Sequence, residues 1–446
     1  MTFKFKYSRF IRSILKNATL INILIVALTT LLVKGIGFFK EIVIANNFGI
    51  SELLDTFYIA ILIPGLISNI FLSGFKSVFI PNYVLEKEKS TDIGAFQSSC
   101  FIITVGISLF FCIIALLTTD VYLELFFKGH TVAYYELIKI QLYYIIPSII
   151  FWGLSSLLSG LLTIDNEFTF SSIGSIFIPI TIIISLLFFK EELGPTVLAL
   201  STLLGSILNF IFLSIVSFRR NIIHLKKPDL TSSNITMLFK QLPAKLTSNL
   251  FSGLNQVVDQ YFAAQLIIGS IAALNYGVKI PMFAIGIATI ALGNVLLPYF
   301  SKNATNDPNG NYIKLNKILK IIVVSSSLIS ILLIIISTPI ISLIFERNAF
   351  TNADTLIVSK IQQMYLLQIP AYISGIIMVR FLTSINKNNF MAIAAIFSLI
   401  LNIILNYYLV NILGVFGLAL STSIVSATNS IILYIYIKHL NKLKII

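Results

Sequence analysis

Long apolar runs alternate with short polar stretches along the whole 446-residue chain. Twelve such runs lie near 18–46, 53–81, 98–118, 134–162, 168–189, 195–217, 236–264, 268–299, 318–345, 356–382, 389–411 and 414–437. A bilayer crossing needs about 20 mostly apolar residues, so each run is long enough to span. The pattern predicts an all-α polytopic membrane protein with about 12 transmembrane helices. Several runs exceed 25 residues, which predicts tilt or kinks. Gly35, Gly37, Pro64, Gly74, Pro147, Pro179, Pro243, Pro281 and Pro370 lie inside runs. In lipid such residues are tolerated where neighbouring helices satisfy the freed backbone groups.

The polar segment 218–235 is the longest expected cytoplasmic loop and divides the runs six and six. It predicts an N-terminal six-helix lobe over 1–217, an inter-lobe linker over 218–235 and a C-terminal six-helix lobe over 236–446. The second run of each half shares a proline spacing: Pro64 and Pro81 are 17 apart, as are Pro281 and Pro298. A duplicated six-helix unit explains this. Six is even, so both copies insert with one orientation. Parallel repeats of this kind place a substrate site near the midplane, where the two lobes face a central cavity.

Charge then fixes orientation. Only 11% of residues are charged against 57% hydrophobic, whereas soluble domains carry roughly 25% charged residues. That excludes a soluble fold. The net charge of +13 sits in the loops. With the N-terminus inside, cytoplasmic segments hold twenty basic residues, among them Lys4, Lys6, Arg9, Arg12, Lys16, Arg219, Arg220 and Lys442, against Lys128, Lys190 and Arg347 opposite. This asymmetry places both termini in the cytoplasm and accounts for the charge without a nucleic-acid partner. The basic N-terminus followed by a long apolar run reads as a signal anchor rather than a cleaved signal peptide. Cys100 and Cys112 share one run, and His130, His224 and His439 are scattered. No metal centre or cofactor is expected from these residues.

Eight basic residues lie inside the runs. Lys76, Lys139, Lys245, Lys360 and Arg380 are near enough to helix ends to snorkel to the headgroups. Lys34, Lys40 and Lys279 are deeper. Lys279 is about 12 residues into its run, roughly 18 Å of helix rise. An unpaired ammonium there costs about 2.5–3.5 kcal/mol on the insertion scale, so it calls for a wet cavity or a counter-charge. The interior acids are Glu41, Asp55 and Asp259. Lys34 and Glu41, seven apart, share a helix face; Lys34 and Lys40, six apart, point about 120° away from each other. Excess cations suit an anionic headgroup such as phosphate or pyrophosphate. The alternative is that Lys34 and Glu41 pair only to hold the helix.

The ordered set Lys34-Gly-Ile-Gly-Phe-Phe-Lys40-Glu41, Ala45-Asn-Asn-Phe-Gly49, Leu54-Asp55-Thr-Phe-Tyr-Ile-Ala60, Ile63-Pro64 and Phe79-Ile-Pro81 resembles the MviN/MurJ family. Asn275-Tyr276-Gly-Val-Lys279 through Pro298 is similar to that family's eighth span. The resemblance implies a lipid II flippase of the multidrug/oligosaccharidyl-lipid/polysaccharide exporter superfamily. It implies a substrate set of Lys34, Lys40, Glu41, Asp55 and Lys279 around the pyrophosphate of an undecaprenyl-linked sugar. It further implies a C-terminal ion site, for which Asp259, Asn402 and Asn406 offer oxygens, and coupling to Na+ or to the membrane potential. The other reading of those amides is hydrogen bonding between helices. The chain departs from the family where lysines replace arginines, where twin arginines and a following acid fall on Ser68, Asn69 and Ser73, and where it ends at Ile446 after twelve spans.

The expected function is therefore a flippase for lipid II, acting as a monomer among membrane lipids. The alternative cargo is another lipid-linked oligosaccharide of O-antigen or capsule type. A cation-coupled multidrug exporter would call for interior carboxylates and aromatic cages, and here interior cations outnumber anions. A membrane glycosyltransferase would need convergent acid/base residues in a sizeable loop; the loop near 119–133 offers only Asp120, Glu124, Lys128 and His130.

Overall fold

A computed structural model describes residues 18–89, 92–304 and 308–443. The basic residues from Lys4 to Lys16, and with them the signal-anchor reading, lie outside the described residues, as does Lys444.

Twelve helical rods occupy the twelve apolar runs. They are α1 (Ala18–Phe48), α2 (Glu52–Glu88), α3 (Ile93–Phe126), α4 (Val132–Ile164), α5 (Phe168–Phe188) and α6 (Lys190–Arg219). Then come α7 (Ser233–Ala264), α8 (Ser270–Ala304), α9 (308–345, with a break at Ile336), α10 (Asn352–Ser384), α11 (Asn388–Leu413) and α12 (Val415–Lys442). Ten of the described helices are long and apolar enough to cross a membrane by length and composition; α1 and α7 fill the remaining two runs. Among the described residues no strand occurs, only an isolated bridge between Arg347 and Phe350. The chain is an all-α polytopic membrane protein. Most rods run several residues past the apolar stretch, because a helix end in the headgroup region tolerates polar side chains that a span centre does not.

Proline and small polar residues shape the rods. In α2 the ladder switches to a π-helical turn over Ser68–Leu72, four residues after Pro64. Rod α4 breaks at Ile146–Pro147, and α10 breaks at Leu367–Gln368. Each break frees carbonyls that a neighbouring helix then satisfies: Cys112 Sγ donates to Ile146 O at 3.4 Å, and Ser330 Oγ to Leu366 O at 2.6 Å. This is the compensation that irregular backbone requires in lipid.

The chain forms two compact units. One comprises Met1–Ile44, Ala60–Asp120 and Glu136–Thr247; the other comprises Ala45–Ile59, Val121–Tyr135 and Ser248–Ile446. In the first, Phe75, Phe79, Tyr83, Phe96, Cys100, Leu157, Leu161 and Leu213 form a buried core that Ile235 and Leu238 of α7 complete. The segment after α6 is strapped to the start of α3. Gln97 Nε2 donates to Ile222 O at 2.9 Å, and Gln97 Oε1, Ser98 Oγ and Ser99 Oγ accept from the backbone of His224, Lys226 and Asp229. In the second unit, Phe300, Leu315, Ile377, Phe381, Leu433 and Ile437 make one buried cluster, and Ile285, Leu366 and Ile369 make another.

The two halves repeat more closely than the proline spacing alone indicates. Leu193-Gly194 and Leu413-Gly414 both precede Leu-Ala-Leu-Ser-Thr, at 198–202 and 418–422. Both glycines are left-handed, with φ +51° and +58°, a conformation that glycine adopts without steric cost. Asn166 and Asn386, again 220 apart, are left-handed at φ 63° and 57°. Each sits at a helix end where the next N–H (Glu167, Lys387) returns to a carbonyl five residues back, at 2.8 and 2.9 Å. That is a Schellman-type stop, placed identically in each half.

Candidate functional site

In the first unit the site lysines ride on α1, which stays helical through Gly35 and Gly37; a methyl group at either glycine would meet nothing within 4 Å. Lys34 is exposed, whereas Lys40 is partly buried and its Nζ lies 2.7 Å from Glu41 Oε1. Glu41 is only 6% exposed. The acid thus pairs with its neighbour Lys40, and the Lys34–Glu41 pairing expected from shared helix face does not form. Two of the residues expected to snorkel have specific partners. Lys139 Nζ is 2.5 Å from Asp120 Oδ1, and Lys76 Nζ donates to Ser159 Oγ at 3.1 Å.

In the second unit Lys279 is half-buried, with its Nζ 6.0 Å from the centre of the Tyr58 ring, within the range of a cation–π contact. Asp55 has a structural role that the sequence did not indicate. Its carboxylate accepts from the backbone N–H of Gly269 at 2.6 Å and of Ala272 at 2.7 Å, and the residue is 2% exposed. These are orphan donors of the α8 N-terminus, so Asp55 caps that helix. Both its oxygens accept from backbone N–H groups. Gly269 is left-handed at φ +95°, and a Cβ there would lie 2.3 Å from Ile50 Cγ2. Only glycine completes the cap.

The residues proposed for ion binding do come together. Asp259 Oδ1 accepts from Asn406 Nδ2 at 2.7 Å and from Asn402 Nδ2 at 3.1 Å, and Oδ2 accepts from Thr422 Oγ1 at 3.3 Å. Sequence reading missed Thr422; its signal was its place at the end of the repeated Leu-Ala-Leu-Ser-Thr. Asp259, Asn402 and Thr422 line a cavity of about 620 Å³ with Asn255, Gln260, Tyr365 and Gln368. Asn406 is fully buried and its Oδ1 has no hydrogen-bond partner. One carboxylate, two amides and one hydroxyl suit a monovalent cation: a single negative charge, with neutral oxygens to finish the shell once the amides turn. Na+ therefore fits the residues present.

A second cavity, of about 390 Å³, lies in the first unit and is lined by Ile61, Gly65, Ser68, Asn69, Trp152, Ser155, Ser156, Ser159, Ser171, Ser175, Asn209 and Leu213. It is the repeat counterpart of the Asp259 cavity. Trp152, Ser175 and Asn209 correspond to Tyr372, Ala395 and Asn429, and Ile61 and Gly65 to Val278 and Met282.

The family model described as "Lipid II flippase MurJ" matches residues 44–445. The chain belongs to the MurJ family. A "Lipid II flippase MurJ" of Thermosipho africanus is 29% identical over 409 residues, covering 91% of this chain and 83% of that protein. A "Probable lipid II flippase MurJ" of Buchnera aphidicola subsp. Schizaphis graminum is 27% identical over 422 residues, covering 93% and 82%. Among solved structures, a MurJ in an inward closed conformation superposes with TM-score 0.81 at 29% identity, covering 93% of this chain and 87% of that one. An inward-facing multidrug resistance MATE family transporter superposes at 0.77 with 11% identity, covering 94% and 99%. That second likeness shows a shared fold. Membership of the MurJ family, together with ten apolar helices of spanning length, makes this a multi-pass membrane transporter.

Proposed function

We propose that this MurJ family member flips lipid II, an undecaprenyl-pyrophosphate-linked sugar, across the bacterial inner membrane by alternating access, with both termini cytoplasmic and no covalent chemistry. The observation that carries the reading is the family match over residues 44–445. Site chemistry supports it. Lys34 and Lys40 in the first unit and Lys279 in the second supply the positive charge that an anionic headgroup requires, and lysine holds phosphate as a point charge. Glu41 moderates Lys40, and Tyr58 holds the Lys279 ammonium on its ring face. A chemical step would need convergent acid and base groups; the residues proposed for the headgroup are mostly cations instead.

Asp259, Asn402, Asn406 and Thr422 would hold Na+, which would supply coupling to an ion gradient; the membrane potential is the other candidate energy source. The reading is tested by depleting the resident lipid II flippase of a bacterium and expressing this chain. Growth and cell-wall synthesis are expected to return. Failure to rescue at normal membrane levels, or rescue confined to export of a surface polysaccharide, refutes lipid II as cargo.

A further inference from the structure

The first-unit cavity carries no ionisable side chain in its lining, only hydroxyls, amides and apolar groups around one indole. Its counterpart in the second unit is built around Asp259. The same position in the repeat thus offers a cation site in one half and a neutral polar site in the other.

Two acceptor atoms on the neutral wall lack partners. Ser155 is 5% exposed and its Oγ is buried without a hydrogen bond, and Asn209 Oδ1 is likewise buried and unsatisfied. Each therefore keeps hydrogen-bonding capacity that the protein itself does not use. Trp152 is fixed by its indole N–H, which donates to Ser206 Oγ at 2.7 Å, and it lines the cavity beside them.

One helical turn from Ser155 on the same face of α4, a hydroxyl chain from Ser159 has a set direction. The Lys76 ammonium can only donate, so Ser159 Oγ is the acceptor at 3.1 Å. The Ser159 hydroxyl hydrogen is then free to turn to Ser171 Oγ at 2.7 Å. That leaves the Ser171 hydrogen for the Ser159 carbonyl, at 3.2 Å, or for a guest. The volume of about 390 Å³ falls in the range of small-ligand pockets.

Hydroxyls and amides, a flat aromatic face and no charged side chain in the lining itself describe a receptor for a sugar ring. We infer that this cavity is a carbohydrate subsite, which takes the uncharged, hydroxyl-bearing part of the transported headgroup on Ser155, Ser171, Asn209 and Trp152. The inference rests on the lipid-linked cargo proposed above and adds where its sugar is read.

Trp152 is the single tryptophan of the chain, so its fluorescence reports this cavity directly. The purified full chain in detergent is titrated with two probes, lipid II and sugarless undecaprenyl pyrophosphate. Lipid II is expected to shift the Trp152 emission and undecaprenyl pyrophosphate to leave it unchanged. By native mass spectrometry, Ser155→Ala combined with Asn209→Ala should weaken lipid II binding about tenfold, as loss of about one hydrogen bond implies. Retained binding of undecaprenyl pyrophosphate by that variant shows that it is folded. An emission shift with both probes or with neither, or an equal loss of both lipids in the variant, overturns the subsite. Failure of the unaltered chain to bind either lipid overturns the lipid-linked cargo itself.

Discussion

Asp55 caps the α8 N-terminus, the resemblance implies a substrate role for the same residue, and substitution separates the two. Asp55→Ala removes both oxygens that accept from Gly269 and Ala272 at 2.6 and 2.7 Å. Hydrogen bonds to a charged group contribute about 1.5–3 kcal/mol each, and the two N–H donors left behind are buried. The lower ends add to about 3 kcal/mol, beyond the usual cost of an exposed helix cap because Asp55 is 2% exposed. At roughly 2–4 °C per kcal/mol for a folding unit of 150–250 residues, the melting temperature should fall by about 6–12 °C. Asp55→Asn keeps one acceptor and loses the charge that complements the α8 dipole, so it should lose about half as much. The assay is thermal unfolding of the purified protein in one detergent, with membrane abundance measured alongside. Wild-type melting and abundance in Asp55→Ala, accompanied by loss of transport alone, would refute the capping role and return Asp55 to the substrate set.

Gly269→Ala attacks the same cap from the other side: its φ of +95° and the 2.3 Å approach to Ile50 Cγ2 predict a loss of about 1–3 kcal/mol, read in the same melt. Lys279→Ala is expected to abolish rescue of a flippase-depleted strain at unchanged membrane levels, with Lys40→Ala causing a smaller loss because Glu41 already offsets part of the Lys40 charge; full activity of both variants would sink the substrate assignment. For Asp259, replacing KCl by NaCl should raise the melting temperature of the unaltered protein and leave Asp259→Asn unmoved. An equal response of both proteins would show that Na+ does not bind there.

The spans were legible because bilayer crossing is a property of continuous composition, and each of the twelve helices forms over its own apolar run. The Asp259 cluster was partly legible, since Asn402 and Asn406 are one helical turn apart and an acid inside lipid demands polar company. Thr422 was hidden because its partner is 163 residues away. The Asp55 cap was hidden for the same reason: 214 residues separate it from Gly269, and nothing local marks an acid as a cap for a distant helix. Charge patterning led to Lys34 and Glu41 sharing a face, yet the geometry of the side chains gave Glu41 to Lys40. The neutral cavity left no trace in hydropathy, because serines scattered among α2, α4 and α5 read as small residues of packed helices until the fold brings them together.

The central claim is movement of a lipid-linked sugar between leaflets, and the most direct measurement counts lipid II on each side. In spheroplasts of a strain depleted of its own flippase, an externally added, membrane-impermeant probe reacts only with lipid II in the outer leaflet. Expression of this chain should restore the reactive fraction to that of the undepleted strain, and Lys279→Ala should not. An inner-leaflet lipid II pool that stays unreactive while the chain is present at normal levels would contradict the account.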